Sequence, residues 1–110
     1  MPAGIEIDEF LKYLQFEKRY SKHTIISYKT DLLQFCSYCE AIFGEFDPKS
    51  ITDKQIRSWI VDLSEASIAP LSINRKTTTL RVFFKFLKRK GNIITNPVEN
   101  LNRLKQKKQL

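Results

Sequence analysis

The sequence predicts an all-α protein, a compact bundle of four main helices followed by a short C-terminal helix. Apolar residues recur at intervals of three and four along most of the chain, which is the spacing of one face of an α-helix. The 110 residues include only three glycines and four prolines, too few for the frequent turns of an all-β sandwich. Hydrophobic residues make up 42% of the chain, which is enough to form the core of one small domain.

The first two helices are predicted on either side of a helix-capping serine. Ser21 is a favourable N-cap, and we expect the second helix to run from there to about Glu40 and to end before Gly44. The apolar stripe of the first helix consists of Ile7, Phe10, Leu11 and Leu14. The apolar side of the second helix consists of Ile25, Tyr28, Leu32, Phe35, Cys36, Cys39 and Phe43.

The third and fourth helices are predicted from the same kinds of signal. Residues Thr52 to Gln55 have the sequence of a capping box, which opens the third helix. The fourth helix is expected over residues 72–90, because a Lys-Arg-Lys last turn precedes Gly91. Their apolar faces consist of Ile56, Trp59, Ile60 and Leu63 in the third helix and of Ile73, Leu80, Phe83, Phe84 and Leu87 in the fourth.

The end of the chain is predicted to change from folded domain to linker. Asn96 and Pro97 are typical of the N-cap and first position of a helix, which we expect to reach about Leu104. Residues 105–110 are polar and basic. We therefore predict a folded domain over residues 1–104, followed by a basic linker over 105–110.

Positive charge is concentrated in the C-terminal part of the sequence. Residues 1–70 hold 8 Lys+Arg and 11 Asp+Glu, a balance of −3, whereas residues 71–110 hold 11 Lys+Arg and one acid, a balance of +10. This asymmetry favours a polyanionic partner for the C-terminal part, although a solvated basic tail is the alternative. There is no signal peptide pattern and no apolar run long enough to span a membrane, so we expect a cytoplasmic protein without a membrane partner.

Two of the predicted helices have a polar side that suits contact with nucleic acid. Short groups that both donate and accept hydrogen bonds fit base edges and phosphates, and arginine can also bind them in a fork. A plain solvated face remains the alternative. On the second helix this polar side consists of His23, Ser27, Thr30, Gln34 and Ser37. On the fourth it consists of Asn74, Arg75, Thr78, Thr79, Arg81 and Lys85.

The two cysteines form a C-x-x-C sequence that does not predict redox or metal chemistry. Cys36 and Cys39 fall in the middle of a helix on its apolar side, whereas a reactive pair opens a helix. The chain has one histidine, and a structural zinc site needs about four ligands. No glycine-rich phosphate loop is present. We therefore expect two buried thiols, no metal and no cofactor.

Three segments of the sequence resemble one protein family in order and spacing. They are SKHTIISYKTDLLQF, LSINRKTTTLRVFFKFLKRKG and the later Asn-Pro pair. Together they are similar to the N-terminal core-binding domain of tyrosine recombinases of the phage integrase and Xer type, which has the SAM-like integrase fold. The resemblance covers about residues 5–104. The shared positions are Thr24, Tyr28, Asp31, Leu32, Phe35, Ser72, Asn74, Arg75, Leu80, Arg81, Phe84, Phe86, Leu87, Asn96 and Pro97.

The resemblance implies the DNA-binding module of a site-specific recombinase, whose second and fourth helices lie in the major groove and clamp the recombination core site. The implied partners are double-stranded DNA, other recombinase protomers, and a catalytic domain in the same polypeptide beyond residue 110. The chain departs from the family pattern at Ile26 and Leu71, where relatives often carry polar or basic residues. The residues implied to contact DNA are Lys22, His23, Ser27, Thr30, Ser72, Arg75, Lys76 and Thr79.

The resemblance also implies that this chain does not cleave DNA by itself. In the family a tyrosine nucleophile acts with arginines, a lysine and histidines that all belong to the C-terminal domain. The four tyrosines of this chain are not accompanied by that set in the family order. One function of a different class remains open, a helical protein-interaction adaptor with a basic tail, since related small helical folds serve several functions.

Overall fold

The computed structural model describes residues 4–99 and 101, and these residues contain helices and no strand. The four helices are α1 (Gly4–Phe16), α2 (Lys22–Phe43), α3 (Asp53–Glu65) and α4 (Pro70–Arg89). Residues 97–99 and 101 are helical too, and we call them the C-terminal helical segment. The predicted all-α architecture is confirmed. The described residues divide between Asp47 and Pro48 into two compact units.

The first unit is built from α1 and α2, which pack against each other. Phe10 and Phe35 are completely buried, and the ring of Phe35 meets that of Phe46 edge to face at 5.8 Å between centroids. The predicted apolar side of α2 is confirmed at its centre, where Leu32 is also buried. At its ends it is not, because Phe43 in the last turn is 39% exposed.

The ends of α2 are set by the residues next to it in the sequence. Ser21 Oγ accepts a hydrogen bond from the backbone N–H of Thr24 at 3.2 Å, which satisfies one of the unpaired donors of the first turn. Gly44 follows the last turn with a φ of 91°, a conformation that costs glycine little. The helix therefore runs three residues beyond the predicted end at Glu40.

The second unit begins with the predicted capping box. Thr52 Oγ1 accepts from the Gln55 backbone N–H at 3.3 Å, and Gln55 Oε1 accepts from the Thr52 backbone N–H at 3.0 Å. The apolar side of α3 follows it, with Ile56 and Trp59 buried. The core residues of α4 are Leu80, Phe83, Phe84, Phe86 and Leu87.

The N-terminus of α4 differs from the prediction. The helix starts at Pro70 rather than at Ser72, and its N-cap residue, Ala69, makes no side-chain capping bond. Proline is favourable at the first helical position because it has no N–H to satisfy and its φ already suits a helix. The predicted start of the fourth helix at Ser72 is therefore two residues too late.

The C-terminus of α4 is closed as predicted. Gly91 has a φ of 83°, and its N–H donates to the Lys88 carbonyl at 3.0 Å. The N–H of Asn92 donates to the Leu87 carbonyl at 2.9 Å. These two bonds form a Schellman motif, which ends the helix and turns the chain.

The C-terminal helical segment begins at the predicted Asn-Pro pair. Asn96 Oδ1 accepts from the Val98 backbone N–H at 2.9 Å, and its Nδ2 donates to the Arg81 carbonyl at 3.4 Å. Asn96 therefore caps this segment and also ties it to α4. Glu99 pairs with Lys88 at 3.5 Å, an exposed pair that adds little stability. Leu104, the predicted end, and the predicted linker 105–110 lie outside the described residues.

Candidate nucleic-acid interface

The polar side predicted on α2 is a solvent-facing surface. Ser27 is half-buried, and the other four members, His23, Thr30, Gln34 and Ser37, are exposed. Lys22, in the first turn, is exposed as well. Apart from Lys22, the side chains on this surface carry hydrogen-bonding groups and include no Lys, Arg, Asp or Glu. We call His23, Ser27, Thr30, Gln34 and Ser37 the α2 polar stripe.

The exposed side of α4 is cationic. The helix contains six Lys and Arg residues and no Asp or Glu, and three of the cations, Arg75, Lys85 and Arg89, are exposed on this side. Spacings of three, four and seven place the exposed residues along one side. We call this side the exposed α4 face, and it consists of Leu71, Asn74, Arg75, Thr78, Lys85 and Arg89.

The residues carried over from the family to α4 do not share one surface in this chain. Arg75 is exposed and Ser72 is half-buried, but Lys76 is only 6% exposed and Thr79 only 1%. The expectation that Thr79 belongs to an exposed polar side is therefore wrong. We draw the exposed α4 face without Lys76 and Thr79.

The burial of Thr79 has a simple physical explanation. Its hydroxyl donates to the Arg75 carbonyl one turn earlier at 3.2 Å, and Thr77 does the same to Ile73 at 2.8 Å. A threonine that bonds to its own helix in this way buries its methyl group without leaving an unpaired hydroxyl. Polarity alone therefore did not predict on which side of α4 these residues lie.

Sequence reasoning did not include Arg89 and Leu71 in the exposed α4 face. The sequence prediction treats Arg89 only as part of a basic last turn, and it places Leu71 before the start of the helix. Leu71, Arg75, Lys85 and Arg89 project from the same side of α4 at 100° per residue. The correct start of the helix at Pro70 would have added Leu71, and the helical spacing from Arg75 and Lys85 would have added Arg89, which already lies within the predicted helix.

The two cysteines are buried free thiols, as predicted. Burial is the main cause that raises the pKa of both Cys36 and Cys39 to about 12. At neutral pH they are protonated, and the thiolate is the form that reacts or binds a metal. Among residues 4–99 and 101, no group of three or more His, Cys, Asp and Glu side chains is placed to hold a metal ion.

All four tyrosines lie in aromatic contacts inside the first unit. The ring centroids of Tyr28 and Tyr20 are 5.9 Å apart. The pKa of the Tyr28 hydroxyl is raised, mainly because the group is buried and secondly because Tyr20 lies beside it. Tyr38 is half-buried and meets Phe43 edge to face at 5.9 Å. Tyr28 and Tyr38 are therefore half-buried aromatic residues of the first unit. Within the described ranges, no helix has the length and apolar character of a membrane span.

Comparison with known proteins identifies the class of domain that these helices form. The family model described as "Phage integrase, N-terminal SAM-like domain" matches residues 7–91. The chain belongs to this family, and its helical fold is the SAM-like fold of that domain. The resemblance seen in the sequence is thereby confirmed.

The curated relatives are bacterial recombinases of the Xer type. Tyrosine recombinase XerD of Rickettsia bellii is 36% identical over 96 residues, which cover 87% of this chain and 31% of the relative. Tyrosine recombinase XerC of Lacticaseibacillus casei is 33% identical over 100 residues, covering 91% and 34%. XerD of Rickettsia prowazekii is 38% identical over 96 residues, covering 87% and 30%. The chain thus spans about a third of the length of these relatives. No solved structure matches it significantly.

Proposed function

We propose that this chain is the DNA-binding module of a site-specific tyrosine recombinase and that it contacts double-stranded DNA through α2 and α4. The observation that carries the proposal is the exposed α4 face, where Arg75, Lys85 and Arg89 are exposed on a helix without a single acidic residue. A surface of this kind attracts a polyanion and releases its counterions. The family match and the recombinase relatives support the same partner.

The proposed role of α4 combines attraction with base contact. Arg75 can place its guanidinium across two phosphate oxygens or on the O6 and N7 atoms of guanine. Lys85 and Arg89 follow it toward the C-terminus, ten and fourteen residues later, or about 15 and 21 Å along the helix axis. We propose that these two contact phosphates, which fix the position of the helix without reading sequence.

The proposed role of α2 is hydrogen bonding at close range. His23, Thr30 and Gln34 are exposed and short enough to let the helix approach a groove. The α2 polar stripe has no acidic member, and the first turn of α2 also lacks an acidic residue. We propose that the stripe, together with Lys22, contacts base edges and phosphates of the same recombination site.

We further propose that catalysis belongs to a separate C-terminal domain of the whole protein. The chain matches the N-terminal SAM-like domain and spans about a third of its recombinase relatives, which leaves room for such a domain. In this proposal residues 1–104 form the core-binding domain and residues 105–110 are the basic linker toward the catalytic domain. Other protomers of the recombinase would bind the same DNA site.

A gel shift tests the proposed function directly. The probe is a duplex of about 30 base pairs that carries an inverted repeat from the source genome, with an unrelated duplex of equal length as control. We expect binding that is tighter for the inverted repeat and no covalent adduct with a nicked suicide substrate. Absence of binding to every duplex would overturn the proposal and favour the adaptor alternative. An adduct that survives denaturation would overturn the separation of DNA binding from catalysis.

A further inference from the structure

Leu71 is an apolar residue on an otherwise polar and cationic surface. It is 83% exposed and lies in the first turn of α4, one residue after Pro70. The spacings of three, four and seven place it in one row with Asn74, Arg75 and Thr78. Every other member of the exposed α4 face is polar or charged. A bulky apolar side chain is therefore exposed to solvent on the face that the proposed function assigns to DNA binding.

We propose that Leu71 is a specificity-determining residue that contacts the 5-methyl group of thymine in the major groove. The inference rests on the proposed function and adds a base preference to it. Leucine has no charge and no hydrogen-bonding group, so it gains nothing from a phosphate or from the polar atoms of a base edge. Among the four bases, thymine alone presents a methyl group in that groove.

The position of Leu71 in the helix supports this contact. Helices that enter the major groove commonly place residues of their first turn on base edges, and the first turn of α4 contains no acidic residue that would repel the DNA backbone. Arg75, one turn later on the same side, is exposed and can hold a phosphate or a guanine beside the thymine. Leu71 would thus read sequence, whereas the phosphate contacts proposed for Lys85 and Arg89 do not discriminate between bases.

Uracil provides a probe that differs from thymine only by the methyl group. Two duplexes of about 30 alternating A·T pairs are compared. One contains thymine, and the other contains uracil in place of every thymine. The thymine duplex presents a 5-methyl group at each base pair, so the natural target need not be known. We expect the parent chain to bind the thymine duplex about fourfold more tightly, the ratio that corresponds to burial of one methyl group.

Two alanine variants, Leu71→Ala and Ile94→Ala, distinguish a specific contact of Leu71 with thymine from a general effect of exposed apolar side chains. In Leu71→Ala the thymine-to-uracil ratio should fall to about one, with binding to the uracil duplex unchanged. Ile94→Ala removes a side chain that is 92% exposed outside α4, and it should keep the parental ratio. Equal affinity of the parent for both duplexes, or a parental ratio in Leu71→Ala, would overturn the inference while leaving DNA binding intact. A parent that binds neither duplex nor the inverted repeat would overturn the proposed function as well.

Discussion

The two longest helices, α2 with 22 residues and α4 with 20, present different chemistry to solvent. In α2 two lysines are balanced by Asp31 and Glu40, and the α2 polar stripe contains no Lys, Arg, Asp or Glu. In α4 the exposed face carries Arg75, Lys85 and Arg89, and the helix contains no acidic residue. Under the proposed function the two helices contact DNA in different ways. Attraction would come from α4, whereas α2 would contribute contacts that depend on hydrogen-bond geometry.

Their buried sides differ as well. The buried side of α2 carries Phe35, Cys36 and Cys39, and its only buried charged residue is Asp31. The buried side of α4 includes Thr77, Thr79 and Lys76 among its phenylalanines and leucines. Hydroxyl bonds to the preceding turn make the threonines compatible with that environment. Stability and DNA contact should therefore respond to different substitutions, and the experiments below test this separation.

The largest expected effect is on the buried side of α2. Phe35→Ala removes a completely buried ring and should lower the free energy of unfolding by about 3–5 kcal/mol because it leaves a cavity. Thr30→Ala, on the exposed side of the same helix, should change it by about 0.5 kcal/mol or less. Urea denaturation of both variants measures this. Equal stability of the two variants would contradict the assignment of the two sides.

The buried thiols of α2 should make stability fall at alkaline pH. Both pKa values are raised from 9.0 to about 12 in the folded chain, so the folded state keeps its thiol protons where the unfolded state has lost them. The buried protonated thiols therefore contribute to the free energy of unfolding. Their contribution is fully present below pH 9 and is lost as the pH rises toward 12, at about 1.4 kcal/mol per pH unit for each thiol. Urea denaturation measures this. Between about pH 9.5 and 11, the free energy of unfolding should fall less steeply with pH in the double variant Cys36→Ala, Cys39→Ala than in the parent chain. Parallel curves would contradict burial of the thiols.

On α4 the effect should appear in binding rather than in stability. Arg75→Ala should weaken DNA binding by about 1–3 kcal/mol, because a charge-assisted contact is lost. Arg57→Ala is the matched control on α3, where Arg57 pairs with Asp53 at 3.3 Å, and it should leave affinity nearly unchanged. DNA titrations and thermal melts of both variants provide the measurement. Equal affinity of the Arg75→Ala variant and the parent would place the contact elsewhere.

The sequence predicted most of the helix ends because they depend on local chemistry. Ser21, Thr52 and Gly91 act through hydrogen bonds to residues within a few positions, and such pairs are visible in the sequence. α4 starts two residues before the predicted Ser72, at Pro70, a residue that is favourable at the first helical position. The sequence therefore predicted most of the fold, and it erred at the start of α4.

The candidate surface was less predictable than the fold. Arg75 and the α2 polar stripe lie on the surface as their helical positions predict. Lys76 and Thr79 were carried over by resemblance, and both are buried. Whether a threonine or lysine faces solvent depends on tertiary packing and on whether the hydroxyl or the alkyl stem can be accommodated. Sequence periodicity does not contain that information for residues at the edge of a polar side.

A smaller effect is expected when α2 is made more like α4. Thr30→Lys adds one cation to the exposed α2 polar stripe and should tighten binding to every duplex by about 0.5–1 kcal/mol, since phosphate attraction does not discriminate between sequences. Thr30→Gln is the neutral control and should not have this effect. Affinity measured on the inverted repeat and on unrelated DNA shows the outcome. No change with either duplex would indicate that the α2 polar stripe does not lie near DNA.

The salt dependence of DNA binding tests most directly whether the exposed α4 face binds DNA. The logarithm of the affinity should fall linearly with the logarithm of the salt concentration, because each phosphate contact releases counterions. In the double variant Lys85→Gln, Arg89→Gln, which removes two exposed cations of α4, the slope should become shallower by about 2. Equal binding at roughly 50 and 300 mM salt, or an unchanged slope in the double variant, would contradict the claim that the exposed α4 face binds DNA.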